Sequence, residues 1–196
     1  SSVDHILSGV ISGAGRLQKD TANSVLTLSG NNTFTGSVTL NKGTLEVTHN
    51  NGLGASAGGV TVASGTVLDL KGVTVGAEAL TLNGGMLKVS TGSSSLAGAV
   101  SLGAASTLSV PGTALTLSGV VNDNNYGITM GGPGDITLSN ANNTISSVLT
   151  NATIGALSMK NNAALSVGAI NATGDVTIAN TAGLTLMTGQ GIATTT

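Results

Sequence analysis

The chain is predicted to fold as an all-β, right-handed parallel β-helix, a solenoid advancing by about 20 residues per coil. Three observations in the 196-residue sequence predict it: apolar-polar-apolar triplets return at a near-constant interval, each is followed within seven or eight residues by a second such triplet, and the segments between are rich in Gly and Asn. A triplet with period-two alternation sends its two apolar side chains to one face and its middle residue to the other, as in a half-buried strand. The return of that strand at a fixed interval is the pattern left by coils stacked one on another.

In chain order the first set of strands is Val38-Thr39-Leu40, Val60-Thr61-Val62, Leu80-Thr81-Leu82 and Val100-Ser101-Leu102, and the same form returns at Leu157-Ser158-Met159 and Val176-Thr177-Ile178. Their middle residues suggest one outward column of hydroxyls. The second set is Leu45-Glu46-Val47, Leu68-Asp69-Leu70, Leu87-Lys88-Val89, Leu108-Ser109-Val110, Leu165-Ser166-Val167 and Leu184-Thr185-Leu186. Each coil therefore carries at least two strands. Between partners lie Asn41-Lys42-Gly43, Ala63-Ser64-Gly65, Asn83-Gly84-Gly85 and Asn161-Asn162, corner sequences whose Gly and Asn accept positive φ at low cost. From Leu115 to Val148 the triplets Leu115-Thr116-Leu117, Ile128-Thr129-Met130 and Ile136-Thr137-Leu138 depart from the spacing, so either a third face begins there or a loop interrupts the coil. The run Asn122 to Gly127 lacks apolar alternation and holds the only Tyr, which marks it as a loop and places an interruption at 120–135 of an otherwise single β-helical segment, 1–196. A hairpin sandwich would also give short strands, but not triplets of like chemistry returning at one phase. A parallel path of this kind is nearly always right-handed, and the strict hexapeptide period of a left-handed β-helix is absent.

Composition narrows the functional classes. Charged residues make up 7% of the chain, against roughly 25% in an ordinary globular domain. Hydrophobic residues reach 40%, enough apolar surface to offset chain entropy, but with one Phe, one Tyr and no Trp the core must be narrow. No apolar run approaches the ~18 residues of a membrane-spanning helix. Six basic residues, scattered singly under a net charge of −2, offer no footprint for phosphate, so no nucleic-acid partner is expected. Zero cysteines exclude disulfides and thiol chemistry. Ser1-Ser2-Val3 opens the chain without a basic or apolar leader, and neither end carries an amphipathic cap, including the tail Gly189 to Thr196. The expectation is a segment of a longer exported protein.

Residues 7–47, LSGVISGAGRLQKDTANSVLTLSGNNTFTGSVTLNKGTLEV, resemble the passenger-associated transport repeat of bacterial autotransporter passengers and the stretch leading into it. The core of the resemblance is Gly30-Asn31-Asn32-Thr33-Phe34-Thr35-Gly36, then Val38-Thr39-Leu40, Asn41, Gly43-Thr44-Leu45 and Val47, with Ser37 where that family more often has a second Gly. Residues 168–176, GAINATGDV, look similar to filamentous-haemagglutinin-type repeats as well. The resemblance implies an extracellular, bacterial cell-surface location, export with an outer-membrane translocator, and a β-helical passenger. It also implies adhesion or self-association, with a host surface, matrix or another copy of the chain as partner.

No catalytic, cofactor-binding or metal-ligating residue set is expected. His5 and His49 are the only near-neutral acid-base groups, and His49-Asn50-Asn51-Gly52 reads as a solvated corner. A carbohydrate-active lyase or hydrolase on the same fold is the alternative, and it needs clustered carboxylates. The acids are mostly one per coil; Glu46 and Asp69 fall in equivalent places with Lys88 next, which reads as a surface charge ladder. Gly131-Gly132-Pro133-Gly134-Asp135 resembles a calcium-binding nonapeptide but has Ile136 where the next acid belongs, and it occurs once. Ice binding would need paired Thr columns, and the neighbouring column Glu46, Asp69, Lys88, Ser109 does not pair. The expected interaction site is the loop Asn122, Asp123, Asn124, Asn125 and Tyr126, since solenoid loops are where function is usually placed.

Overall fold

The computed structural model describes residues 3–187 and 192–194. Among the described residues it is a parallel β-solenoid without helix, of about 9 turns and roughly 21 residues per turn. Both sets of triplets form strands where the alternation places them, and like positions stack. On the first face the strands Leu17–Lys19, Val38–Leu40, Val60–Ala63, Leu80–Asn83, Val100–Ala104 and Val121–Asn122 pair in parallel, with Val38 over Val60, Leu80, Val100 and Val121. The second face is a ten-stranded sheet from His5–Leu7 to Leu184–Leu186, in which Leu45, Leu68, Leu87 and Leu108 stand in one inward column.

The departure in spacing after Leu115 has a structural cause, because a third face runs through the coil. Its strands are Thr74–Val75, Ser93–Leu96, Ala114–Leu117, Asp135–Leu138, Leu157–Asn161 and Val176–Asn180. Earlier coils cross this side as turns, since residues 48–59, THNNGLGASAGG, offer no alternation to build a strand. Ser158 and Thr177 therefore do not continue the column of Thr39, Thr61, Thr81 and Ser101. They stand with Thr116 and Thr137 on the third face. The first-face column passes instead to Asn122 and on to Thr144. A triplet carries no mark of which face it belongs to, so like chemistry on two faces merges in the sequence.

Residues 120–135 contain Val121–Asn122, Ile128–Gly131 and the start of the next third-face strand, all paired with the coil before them. The coil runs through this stretch, and the loop is a tight turn at 123–127. The interior is one aliphatic stack, including Leu28, Leu40, Leu82, Leu102, Leu117 and Met130, with the lone Phe34 enclosed among them. Each buried Leu or Val contributes about 1.5–3 kcal/mol by leaving water, and in a stack each also supports the coil on either side. Corner amides are buried too. Asn161 accepts from the Ile145 N–H at 2.8 Å through Oδ1, and its Nδ2 donates to the carbonyls of Ile145 and Ala163 and to Asn180 Oδ1. Side-chain amides here supply hydrogen bonds that the turning backbone cannot make for itself.

Candidate functional site

The turn at Asn122–Tyr126 is anchored by the residues the sequence singles out. Asn122 Oδ1 accepts from the Asn124 N–H at 2.9 Å, and Asn124 Nδ2 donates to the Leu102 carbonyl at 2.7 Å and to Ser101 Oγ at 3.1 Å. Asn124 and Asn125 both take positive φ, 48° and 66°, a conformation Asn tolerates better than most residues. Asp123 is 1% exposed. Its Oδ1 accepts from the Asn125 N–H at 3.0 Å, and its Oδ2 from the N–H groups of Gly127, Ser146 and Ser147 and the Ser146 hydroxyl, at 2.7–3.3 Å. With its oxygens turned inward on five donors, Asp123 fastens two coils together and has no face left for a ligand. Tyr126 alone offers an apolar contact surface, 52% exposed on this fixed turn.

The column stands on the second face in the expected register, Thr27, Glu46, Asp69, Lys88, Ser109, but it is not wholly a surface ladder, because Asp69 is buried. Both carboxylates are occupied. Glu46 Oε1 takes Lys71 Nζ at 2.7 Å, and Oε2 accepts from Thr27 Oγ1 at 3.2 Å. Asp69 is buried, accepts from the Ser90 N–H at 2.9 Å through Oδ1, and has Lys88 Nζ at 3.8 Å from Oδ2. His49 sits in its corner with Nδ1 accepting from the Asn51 N–H at 3.1 Å. Gly131–Asp135 is the junction between two strands: Asp135 Oδ1 accepts from the Ala156 N–H at 2.7 Å, while Gly132 and Gly134 pass so close to Val110 that a side chain would strike its backbone. Among the described residues no three His, Cys, Asp or Glu gather as a metal would require.

Two buried ionisable groups escape a motif-based reading. Lys19 donates from Nζ to Ser24 Oγ at 2.7 Å and to the carbonyls of Thr21 and Lys42; burial pulls its ammonium below the ordinary value, opposed by Asp20 and Asp4. Glu78, 3% exposed, lines a cavity of about 270 Å³ with Asn50, Asn51, Leu53, Ser56 and Val75. The sequence does carry a signal for Glu78. Two residues before each first-face strand stands Gly15, Gly36, Gly58, Gly98 or Gly119, and Glu78 takes that place before Leu80.

No family model, curated protein or solved structure matches this chain. By its fold the chain is a parallel β-solenoid.

Proposed function

We propose that the chain is a structural and adhesive segment of an exported bacterial surface protein of the autotransporter-passenger kind, acting by repeated contact along its length with a host surface, matrix or another copy of itself. The observation that carries this reading is the outer surface of the third face. Thr74, Ser95, Thr116, Thr137, Ser158 and Thr177 stand in one unbroken register over successive coils. Adjacent coils lie about 4.8 Å apart, so the hydroxyls form a straight, uncharged row of donors and acceptors. The first face repeats the arrangement with Thr39, Thr61, Thr81, Ser101 and Asn122. Such a surface gives many weak, equivalent contacts, whose avidity grows with the number engaged at once.

The test is display of the chain on a non-adherent bacterium, scored for aggregation and for retention on matrix-coated surfaces. The paired variant Thr116→Lys with Thr137→Lys should fold with the same β-type circular dichroism and lose at least several-fold in binding. A displayed wild-type chain that neither aggregates nor adheres above the empty host would overturn the reading. Cleavage of a polysaccharide by the purified chain would replace it with the carbohydrate-active alternative.

A further inference from the structure

Where the chain leaves the third side of a coil to begin a first-face strand, the coils approach so closely at Gly36, Gly58, Gly98 and Gly119 that each position admits only hydrogen. A Cβ placed on Gly36 would lie 2.3 Å from the Gly15 carbonyl oxygen, on Gly58 2.3 Å from that of Gly36, on Gly98 1.8 Å from that of Glu78, and on Gly119 2.0 Å from that of Gly98. Real Cβ atoms do not come so near. Glu78 is the single member of this column that carries a side chain, and it carries a carboxyl group buried to 3% exposure. The Gly59 backbone amide, from a residue at φ 69°, is the polar group that favours the charged form of that carboxyl.

No charge answers it. Residues 50–59 of the preceding coil, 72–77 and 79–80 of its own, and 92–100 of the following coil contain no Asp, Glu, Lys, Arg or His. The nearest groups outside those segments are committed elsewhere: His49 to the Asn51 N–H, Lys71 to Glu46, and Lys88 to Asp69. A buried carboxylate without a counter-ion is far costlier than the neutral acid. The cavity beside it, between residues 50–56 and 75–78, gives the corner room to move.

We propose that the corner Gly76–Ala79 is a proton-controlled latch: the neutral Glu78 carboxyl can stay buried with the corner closed, and loss of its proton drives the corner open because the buried charge has no counter-ion. Burial raises the Glu78 carboxyl from 4.5 to about 7, with the Gly59 backbone amide pulling the other way, so the change falls between mildly acidic and neutral surroundings. Release frees the hydrogen bonds on either side, from the Val60 N–H to the Ala79 carbonyl at 2.8 Å and from the Leu80 N–H to the Ala99 carbonyl at 2.9 Å. Acid therefore stiffens this part of the rod, and neutral pH exposes a short length of strand backbone in its wall.

Hydrogen exchange on the whole chain from pH 5 to pH 8, corrected for intrinsic exchange rates, tests the latch at the Gly59, Val60 and Leu80 amides, with the Leu157 and Leu165 amides, several coils away, as controls. Protection at the three should fall by about tenfold or more as pH rises, and in Glu78→Gln it should stay high and flat. Glu78→Gly, which restores the glycine column, should also abolish the pH dependence, and it serves if the glutamine variant fails to fold. Carboxyl carbon NMR on the wild type should show Glu78 titrating well above the usual glutamate range. Flat protection in the wild type, pH dependence surviving in either variant, or ordinary titration of Glu78 would overturn the proposal.

Discussion

Asp123 and Tyr126 lie three residues apart, yet they divide the roles of a single turn completely. Removing the Asp123 carboxylate strands the Gly127 and Ser146 N–H groups in a desolvated place. Asp123→Ala is therefore expected to cost about 2–4 kcal/mol in urea unfolding. Tyr126→Ala removes an exposed ring and should stay within about 0.5 kcal/mol, so any loss of adhesion it causes reports on contact rather than folding. The same contrast of faces holds inside a strand. Leu82 and Leu102 are register partners in the inward column, and Thr81 points outward beside Ser101. Leu102→Asp puts an unpaired charge among aliphatic side chains and should prevent folding, whereas Thr81→Asp should give a native circular dichroism spectrum and lose no more than about 1 kcal/mol.

At the scale of the corner, the glycine column sets how tightly coils stack. Gly98→Ala drives a methyl group into the Glu78 carbonyl, a backbone atom that cannot rotate away, and should lower stability by about 2 kcal/mol or more. Gly76 is also a corner glycine, but no atom lies within 4 Å of its would-be Cβ and its φ is not positive. Gly76→Ala should be neutral or gain about 0.4–1 kcal/mol by restricting the unfolded chain. Thermal melts of the two variants beside wild type check the pair, and equal effects would mean that coil spacing is not set at this column.

For the whole molecule, stability should depend on pH in a direction unusual for a carboxylate. Glu78 rises from 4.5 to about 7 on folding, so between those values the folded chain holds a proton that the unfolded chain has released. Unfolding free energy accordingly falls as pH rises from about 4.5 to about 7, by on the order of 1–3 kcal/mol, and levels off above. Urea unfolding at pH 5 and pH 8 checks the sign, with Glu78→Gln as the variant in which this component vanishes. Because each coil touches only its neighbours, the weakening centres on the coils around Leu80 rather than spreading evenly along the rod.

The sequence by itself determined that this chain is a stacked parallel solenoid, which residues of each triplet face inward, and that Glu46, Asp69, Lys88 and Ser109 share a column. Alternation and a repeat interval are local facts, and stacking identical coils converts them directly into register. It also pointed to the turn at Asn122–Tyr126 without distinguishing its anchor from its exposed ring, because burial depends on what the next coil brings: Ser146, more than twenty residues on, is what encloses Asp123. Only the tertiary structure decided that there are three faces, that Ser158 and Thr177 stand apart from Ser101, and that Glu78 is buried without a counter-charge. Those are statements about which coil lies against which, and small changes in the residues per coil alter them while leaving every triplet intact.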